Sequence, residues 1–326
     1  MTVVKAELVS LLDIREAVPR VLRLARRTPL LDAGFVAGRA LHLKCENMQP
    51  SGAFKIRGAA NMLHQLTPEQ RAAGVITYSS GNHGQAVAYA AREVGAPAVV
   101  VMPTTAPAIK VESVRRLGAE VIFEGTTSAQ RLERAESEAA ARQLTIVPPC
   151  DHPWIIAGQG TAGLEIVEDL PDVAAVLLPV GGGGLISGVA AAIKQSRPSV
   201  RIIGVEPAGA NAMQQSVQAG HPVTVASSIS IADGLLPVRP GPLAFAHVQA
   251  FVDAVVTVDE SHIVDAMRWL YFVGRLVVEP SGATALAALL SGRADSHLLD
   301  HGPVVAVVSG GNIAPSMLAT LLSDLA

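Results

Sequence analysis

The sequence predicts an α/β protein built as two doubly wound parallel-sheet domains, the smaller inserted in the larger. Three observations carry that expectation. Short β-branched and apolar runs alternate with helical patterns along nearly the whole chain. Those runs are apolar on both faces, as strands of a parallel sheet covered by helices must be. Residues 76–125 read as a compact βαβαβ unit of their own, so the chain is expected to cross between domains near residues 46 and 148. Residues 1–46 plus 148–326 then form the large domain and residues 47–147 the small one.

Taken in order, the strand candidates are GVITYS (74–79), AVVVM (98–102), AEVIFE (119–124), AAVLLPV (174–180), VRIIGVE (200–206), DAVVTV (253–258) and VVAVVS (304–309). Between them lie helical patterns at GQAVAYAAREVG (84–95), SAQRLERAESEAAARQ (128–143) and SHIVDAMRWLYFVG (261–274). No fixed-period repeat and no low-complexity linker interrupts the series.

The 326 residues are half apolar, enough for a sizeable core, and the net charge is only −3. Without a run of Lys and Arg, and with 3% aromatic residues, the chain lacks the footprint of a nucleic-acid binder. Its apolar runs are too short or too broken by charge to span a bilayer. The first twenty residues carry acids and no cleavable apolar core, so no signal peptide is expected and the reading is cytoplasmic. Cys45 and Cys150 stand far apart and outside metal-ligand spacing, which reads as two reduced, structural thiols.

Four stretches carry chemistry. In NMQPSGAFKIRGAANML (47–63), Lys55 follows a turn and opens a helical run. It is either a solvated helix-start residue or an amine held to form a Schiff base with a carbonyl cofactor. The stretch VLLPVGGGGLISGVAAAIKQSRPSVRIIGVE (176–206) is strand, four glycines, helix, strand, a design that suits a phosphate at a helix N-terminus. Glu206 stands about twenty residues on, where a dinucleotide site wants an acid. The glycine pattern fails, though: counted from Gly181 or Gly182, the last required glycine is Ile186 or Ser187. A P-loop fails as well, because Val189 stands where lysine belongs, so a mononucleotide-sized phosphate fits best.

The third stretch, TYSSGNHGQAVAYAA (77–91), puts Ser79, Ser80, Gly81, Asn82 and His83 between a strand and a helix, where ligands of parallel sheets collect. Those groups suit a carboxylate or a phenolic oxygen, or else cap the helix. The fourth, VVSGGNI (307–313), repeats the design; Ser309 could meet a heteroaromatic nitrogen or cap the last helix.

Together these pieces resemble the fold-type II pyridoxal-phosphate enzymes with the tryptophan synthase β-like fold, and within them the threonine/serine dehydratase and serine racemase group. The resemblance runs through ENMQPSGAFKIRGA (46–59), SSGNHGQ (79–85), IAGQGTAGLEI (156–166), PVGGGGLISG (179–188), IADG (231–234), EPSGA (279–283) and VSGGNI (308–313). Cysteine synthases of this fold usually carry threonine where this chain has His83, and threonine synthases and tryptophan synthase β chains surround their lysine differently. The chain ends soon after SGGNI, so no C-terminal regulatory domain and no isoleucine feedback are expected.

The resemblance implies roles. Lys55 would hold pyridoxal 5′-phosphate and later remove the substrate α-proton, with Phe54 packed beside the ring. Asn82 would bond the ring's 3′-oxygen and Ser309 its nitrogen. Gly181, Gly182, Gly183 and Gly184, with Leu185, would cradle the phosphate. Ser79, Ser80, Gly81, Asn82 and His83 would bind the substrate carboxylate. The implied reaction is α,β-elimination from a 3-hydroxy amino acid such as L-threonine or L-serine, by a homo-oligomer. Serine racemases carry a serine at position 80 that acts on the face opposite the lysine, so racemisation is the alternative. A racemase-type Mg²⁺ or related cation would take Glu206 and the Ala210 carbonyl, although Ala212 stands where an aspartate is wanted. Leu235 and Leu236 are more apolar than in many relatives. Arg131 could pair a second carboxylate, as in 3-hydroxyaspartate, or simply line a helix surface. A nicotinamide-dependent oxidoreductase built on the glycine loop is the remoter alternative, and a non-catalytic amino-acid sensor another.

Overall fold

A computed structural model describes residues 7–79, 81–294, 299 and 302–323. The chain opens with helix α1 (Leu11–Val21) and an antiparallel hairpin of β1 (Leu30–Val36) and β2 (Arg39–Cys45). Helices α2 (Lys55–Leu63) and α3 (Pro68–Ala73) lead to β3 (Val75–Thr77). Then come α4 (Asn82–Val94), β4 (Ala98–Met102), α5 (Ala108–Arg116), β5 (Glu120–Phe123), α6 (Ser128–Arg142) and β6 (Thr145–Ile146). The long α7 (Pro153–Asp169) leads to β7 (Ala175–Pro179), α8 (Gly184–Ser196), β8 (Arg201–Pro207) and α9 (Ala212–Ala219). The chain continues through α10 (Pro242–Phe251), β9 (Ala254–Val258), α11 (Glu260–Phe272), α12 (Pro280–Leu290), β10 (Val304–Val308) and α13 (Pro315–Ser323).

Two sheets result. One has strand order β5-β4-β3-β6, all parallel; the other runs β1-β2-β10-β7-β8-β9, parallel except for its edge hairpin. All seven expected strands and all three expected helices are present within a few residues of their anticipated ends. The antiparallel edge was not anticipated, because its turn lacks the usual chemistry. Ala37 and Gly38 both take positive φ (48° and 76°), the type I′ geometry that Asn-Gly signals and Ala-Gly does not. Central strands β4, β7 and β10 are buried at every position, as two-sided coverage requires. No described helix is long and apolar enough to cross a membrane.

Helix α2 sits in a core shared by Ile14 and Ala17 of α1, Val87 and Ala91 of α4, and Ile155 and Ile156 of α7. A buried ionic network holds it there. The Arg57 guanidinium donates to both oxygens of Glu46 at 2.7 Å and to both oxygens of Glu165 at 2.7 Å. Lys44 Nζ closes the network on Glu165 at 2.6 Å. Two cations and two anions cancel, and each Arg57 N–H is aimed at an oxygen, the conditions under which ions tolerate burial. The fold thus fixes the helix that begins at Lys55.

Candidate active site

Lys55 is the first residue of α2, and its backbone is placed from the opposite side by the loop after β10. Ala53 bridges Gly310, Phe54 N–H donates to Ser309 O at 3.1 Å, and Gly311 N–H donates to Gly52 O at 2.9 Å. Lys55 Nζ donates to Pro149 O at 2.7 Å and lies 5.1 Å from the centre of the Phe54 ring. Burial pushes the amine below the ordinary lysine range, against the opposing pull of the Cys150 thiol.

The segment carrying Pro149 joins the other parts. The Val147 carbonyl accepts from Thr77 Oγ1 at 2.8 Å and from His83 Nε2 at 3.0 Å. Cys150 backs the four-glycine bend: a Cβ on Gly182 would come within 2.6 Å of its Sγ, and one on Gly184 within 3.0 Å of its Cα. A Cβ on Gly181 would meet Leu235 Cα at 3.0 Å, so the bend is wedged between Cys150 and the loop after IADG. Gly183 caps α8 with φ +91°, and Ser187 N–H is the α8 donor that turns back to Gly183 O, at 2.9 Å. The N–H groups of Gly184, Leu185 and Ile186 have no carbonyl one turn back, so they point outward from the helix start. Cys150 is a free thiol packed against this bend and Cys45 a free thiol buried in β2, in keeping with two reduced, structural thiols.

Asn82, first in α4, is held at both ends of its amide. Its Nδ2 donates to Glu279 Oε1 at 2.6 Å, and its Oδ1 accepts from Asn312 Nδ2 at 2.9 Å. Asn312 also donates to Ser51 O at 2.8 Å. The flip state of Asn82 is thus set, with one Nδ2–H left to donate elsewhere. Glu279 is buried, and burial with Asp233 nearby pushes its carboxyl up to about 8, although Asn82, Lys110 and a backbone N–H pull it down. Asp233 in turn pairs with Lys110 of α5. Neither Glu279 nor Asn312 stood out as a site residue in the sequence; the motif boundaries EPSGA and SGGNI were the available signal.

Ser309 Oγ donates to Ser281 O at 3.4 Å. Ser79 is half-buried, and a Cβ on Gly81 would enter open space, which leaves room over the start of α4 for a ligand. Ser80 lies outside the described residues. His83 is buried, and burial plus the Lys55 charge push its imidazole down to about 3, so the ring is neutral. Because a carbonyl only accepts, Nε2 carries the proton and donates to Val147 O. The ring has no N–H to spare for a carboxylate, so His83 can serve one only through its backbone.

Glu206 and Arg131 each carried more than one reading. Glu206 is neither a surface acid nor free to reach a ribose: it is buried, and its oxygens accept Met213 N–H at 2.9 Å and Gln214 N–H at 2.8 Å at the start of α9. The Ala210 N–H donates to Pro207 O at 2.9 Å, and Ala212 begins α9. Among the described residues no group of three His, Cys, Asp or Glu could hold a metal ion. Arg131 donates to Thr126 O at 3.2 Å and to Ser128 Oγ at 2.9 Å at the start of its own helix, in keeping with the helix-surface reading.

Comparison with known proteins agrees with this geometry. The family described as pyridoxal-phosphate dependent enzyme matches residues 21–310. An L-threonine ammonia-lyase of Thermotoga maritima is 42% identical over 320 residues, 97% of this chain and 79% of that protein. A serine racemase of Oryza sativa is 41% identical over 306 residues, 92% of this chain and 90% of the relative. The solved structure of maize serine racemase superposes with a TM-score of 0.92 at 40% identity, covering 96% of this chain and 97% of the other.

Proposed function

The chain belongs to the pyridoxal-phosphate dependent enzyme family, and from that premise we propose that it is an ammonia-lyase of 3-hydroxy amino acids. L-Threonine and L-serine are the first candidate substrates. The observation that carries this reading is the placement of Lys55: a half-buried amine of depressed basicity, tied through Pro149 and Cys150 to the four-glycine bend.

The residues present suit the cofactor. Outward N–H groups at Gly184, Leu185 and the bend before them match a phosphate, and the Lys55 amine matches an aldehyde. The unspent Nδ2–H of Asn82 matches a phenolic oxygen, and the Ser309 hydroxyl matches a heteroaromatic nitrogen once it turns from its long 3.4 Å bond to Ser281 O. Pyridoxal phosphate supplies the electron sink that makes the α-proton of an amino acid removable. The protein supplies the rest. Backbone N–H groups at Gly81, Asn82 and His83 receive the substrate carboxylate at the start of α4, with Ser79 beside them. Lys55 Nζ, whose ammonium form burial disfavours, takes the α-proton in its neutral form. The β-hydroxyl leaves as water, and hydrolysis of the resulting enamine returns one water. The net change for L-threonine is 2-oxobutanoate plus ammonium, and for L-serine pyruvate plus ammonium.

Release of 2-oxo acid from a panel of 3-hydroxy amino acids tests this reading. Lys55→Ala is expected to lower that release by about 10²–10⁴-fold and to remove the visible absorbance of the loaded enzyme. Retention of both refutes the role. The serine racemase relatives favour a second reading, in which Ser80 moves a proton on the face opposite Lys55. Chiral chromatography of L-serine incubations decides it: D-serine that disappears in Ser80→Ala supports racemisation beside elimination.

A further inference from the structure

The first turn of α12 touches both side chains assigned above to the cofactor ring, Asn82 and Ser309. Glu279, the residue before α12, gives its backbone N–H to Gly310 O at 3.1 Å, and Ser281 O receives the Ser309 hydroxyl at 3.4 Å. The turn lies flush on the loop after β10: a Cβ on Gly310 would collide with Glu279 Oε1, and one on Gly282 with Gly310 O. Glu279 stands at the cap position, yet its side chain makes no capping bond to α12. Its Oε1 accepts from Asn82 Nδ2 at 2.6 Å instead, and its carboxyl also receives the Asn312 backbone N–H. With Asn312 Nδ2 on Asn82 Oδ1 at 2.9 Å, the three residues close a ring of hydrogen bonds. Burying a carboxyl is costly. Here its side-chain bonds serve an asparagine of α4, from the four-stranded-sheet unit, rather than its own helix.

We propose that Glu279 is a positioning residue for Asn82: by taking one Nδ2–H it leaves the other, in the plane of the amide, as the one side-chain donor Asn82 can offer to the ring's 3′-oxygen. This deepens the reading of Asn82 as a ring contact and rests on it. The bonds around the amide run in one direction. Asn312 Nδ2 is held by Ser51 O at 2.8 Å, and a carbonyl only accepts, so Asn312 presents N–H to Asn82 and demands an oxygen there. Asn82 must then turn its nitrogen to Glu279. A carboxyl has an oxygen lone pair to offer in either protonation state, so the hold persists whether Glu279 is charged or neutral. The two N–H bonds of a planar amide diverge in a fixed fork; pinning one fixes the line of the other.

The test reads cofactor affinity rather than turnover. Dilution of the loaded full chain, followed by its visible absorbance, gives the affinity for pyridoxal phosphate. Glu279→Leu removes the acceptor and is expected to weaken loading about three- to tenfold, the range of one hydrogen bond. Glu279→Gln keeps an oxygen at the same reach without the acid and should load like the parent. Glu279→Asp keeps the acid but withdraws the oxygen by one methylene, and should fall with Glu279→Leu; it carries the test if the leucine variant fails to fold. A merely structural role would act without Asn82, so a double-mutant cycle decides. Asn82→Ala alone and Asn82→Ala combined with Glu279→Leu or Glu279→Asp are expected to load equally. Losses that add, or a Glu279→Asp variant that loads like the parent, overturn the proposal while the ring contact of Asn82 stands. An Asn82→Ala variant that loads like the parent overturns the ring contact and the proposal together, and its release of 2-oxo acid then shows whether the lyase reading survives them.

Discussion

At the scale of single residues, what could be read in advance was chemistry carried by local context. Lys55 announced itself by standing between Phe54 and Ile56 after a turn, and the bend by its four glycines. Glu279 and Asn312 did not, because each acts on Asn82 across 197 and 230 residues of chain, and no local pattern encodes such a meeting. The packing of Cys150 on the glycine bend was illegible for the same reason: a thiol's neighbours depend on what folds against it. Arg57 is the residue whose loss should be felt most in stability. Arg57→Met leaves Glu46 and Glu165 buried, with only Lys44 to offset two carboxylates, and breaking a buried ion network costs about 3–5 kcal/mol. Urea unfolding of the variant measures this. A loss below about 1 kcal/mol would mean that the network behaves like a surface pair.

At the scale of elements, parallel strands were legible because burial on both faces leaves an unbroken apolar run, as in β3, β4, β7, β8 and β10; the edge strands β5 and β9 are only partly covered. The β1–β2 hairpin was illegible because Ala37 occupies a backbone region that L-residues with a Cβ enter at a cost of about 1–2 kcal/mol. Ala37→Asn supplies a residue that tolerates that region and is expected to stabilise the protein by about 0.5–1 kcal/mol. Differential scanning calorimetry should register this as a rise in Tm of about 1 °C. A fall would show that the turn is held by contacts the alanine methyl makes. The same local blindness explains β6, two residues long, which owes its existence to β3 beside it.

At the scale of the whole molecule, stability should depend on pH through groups that fold into apolar surroundings. Burial pushes Glu206 up to about 8 from an ordinary 4.5, in spite of two N–H donors from α9. The folded chain therefore binds this proton more tightly than the unfolded one. The resulting stabilisation is complete below the unfolded value and is lost as pH rises through the folded one. Glu206→Gln imitates the protonated side chain at every pH, so its Tm relative to the parent should climb between about pH 5 and 8. The opposite trend would mean that the start of α9 keeps the carboxylate ionised. The two-sheet plan was legible as a whole, but the joining of its parts was not: the bend, Lys55, His83 and Thr77 all converge on residues 147–150. Two of these are consecutive prolines, Pro148 and Pro149, which offer oxygen but no hydrogen to their surroundings. The Lys55 amine is consequently moored to the main chain, where no exchange of side chain at 149 can delete the mooring atom. Evolutionary retuning of this lysine has to act through its neighbours.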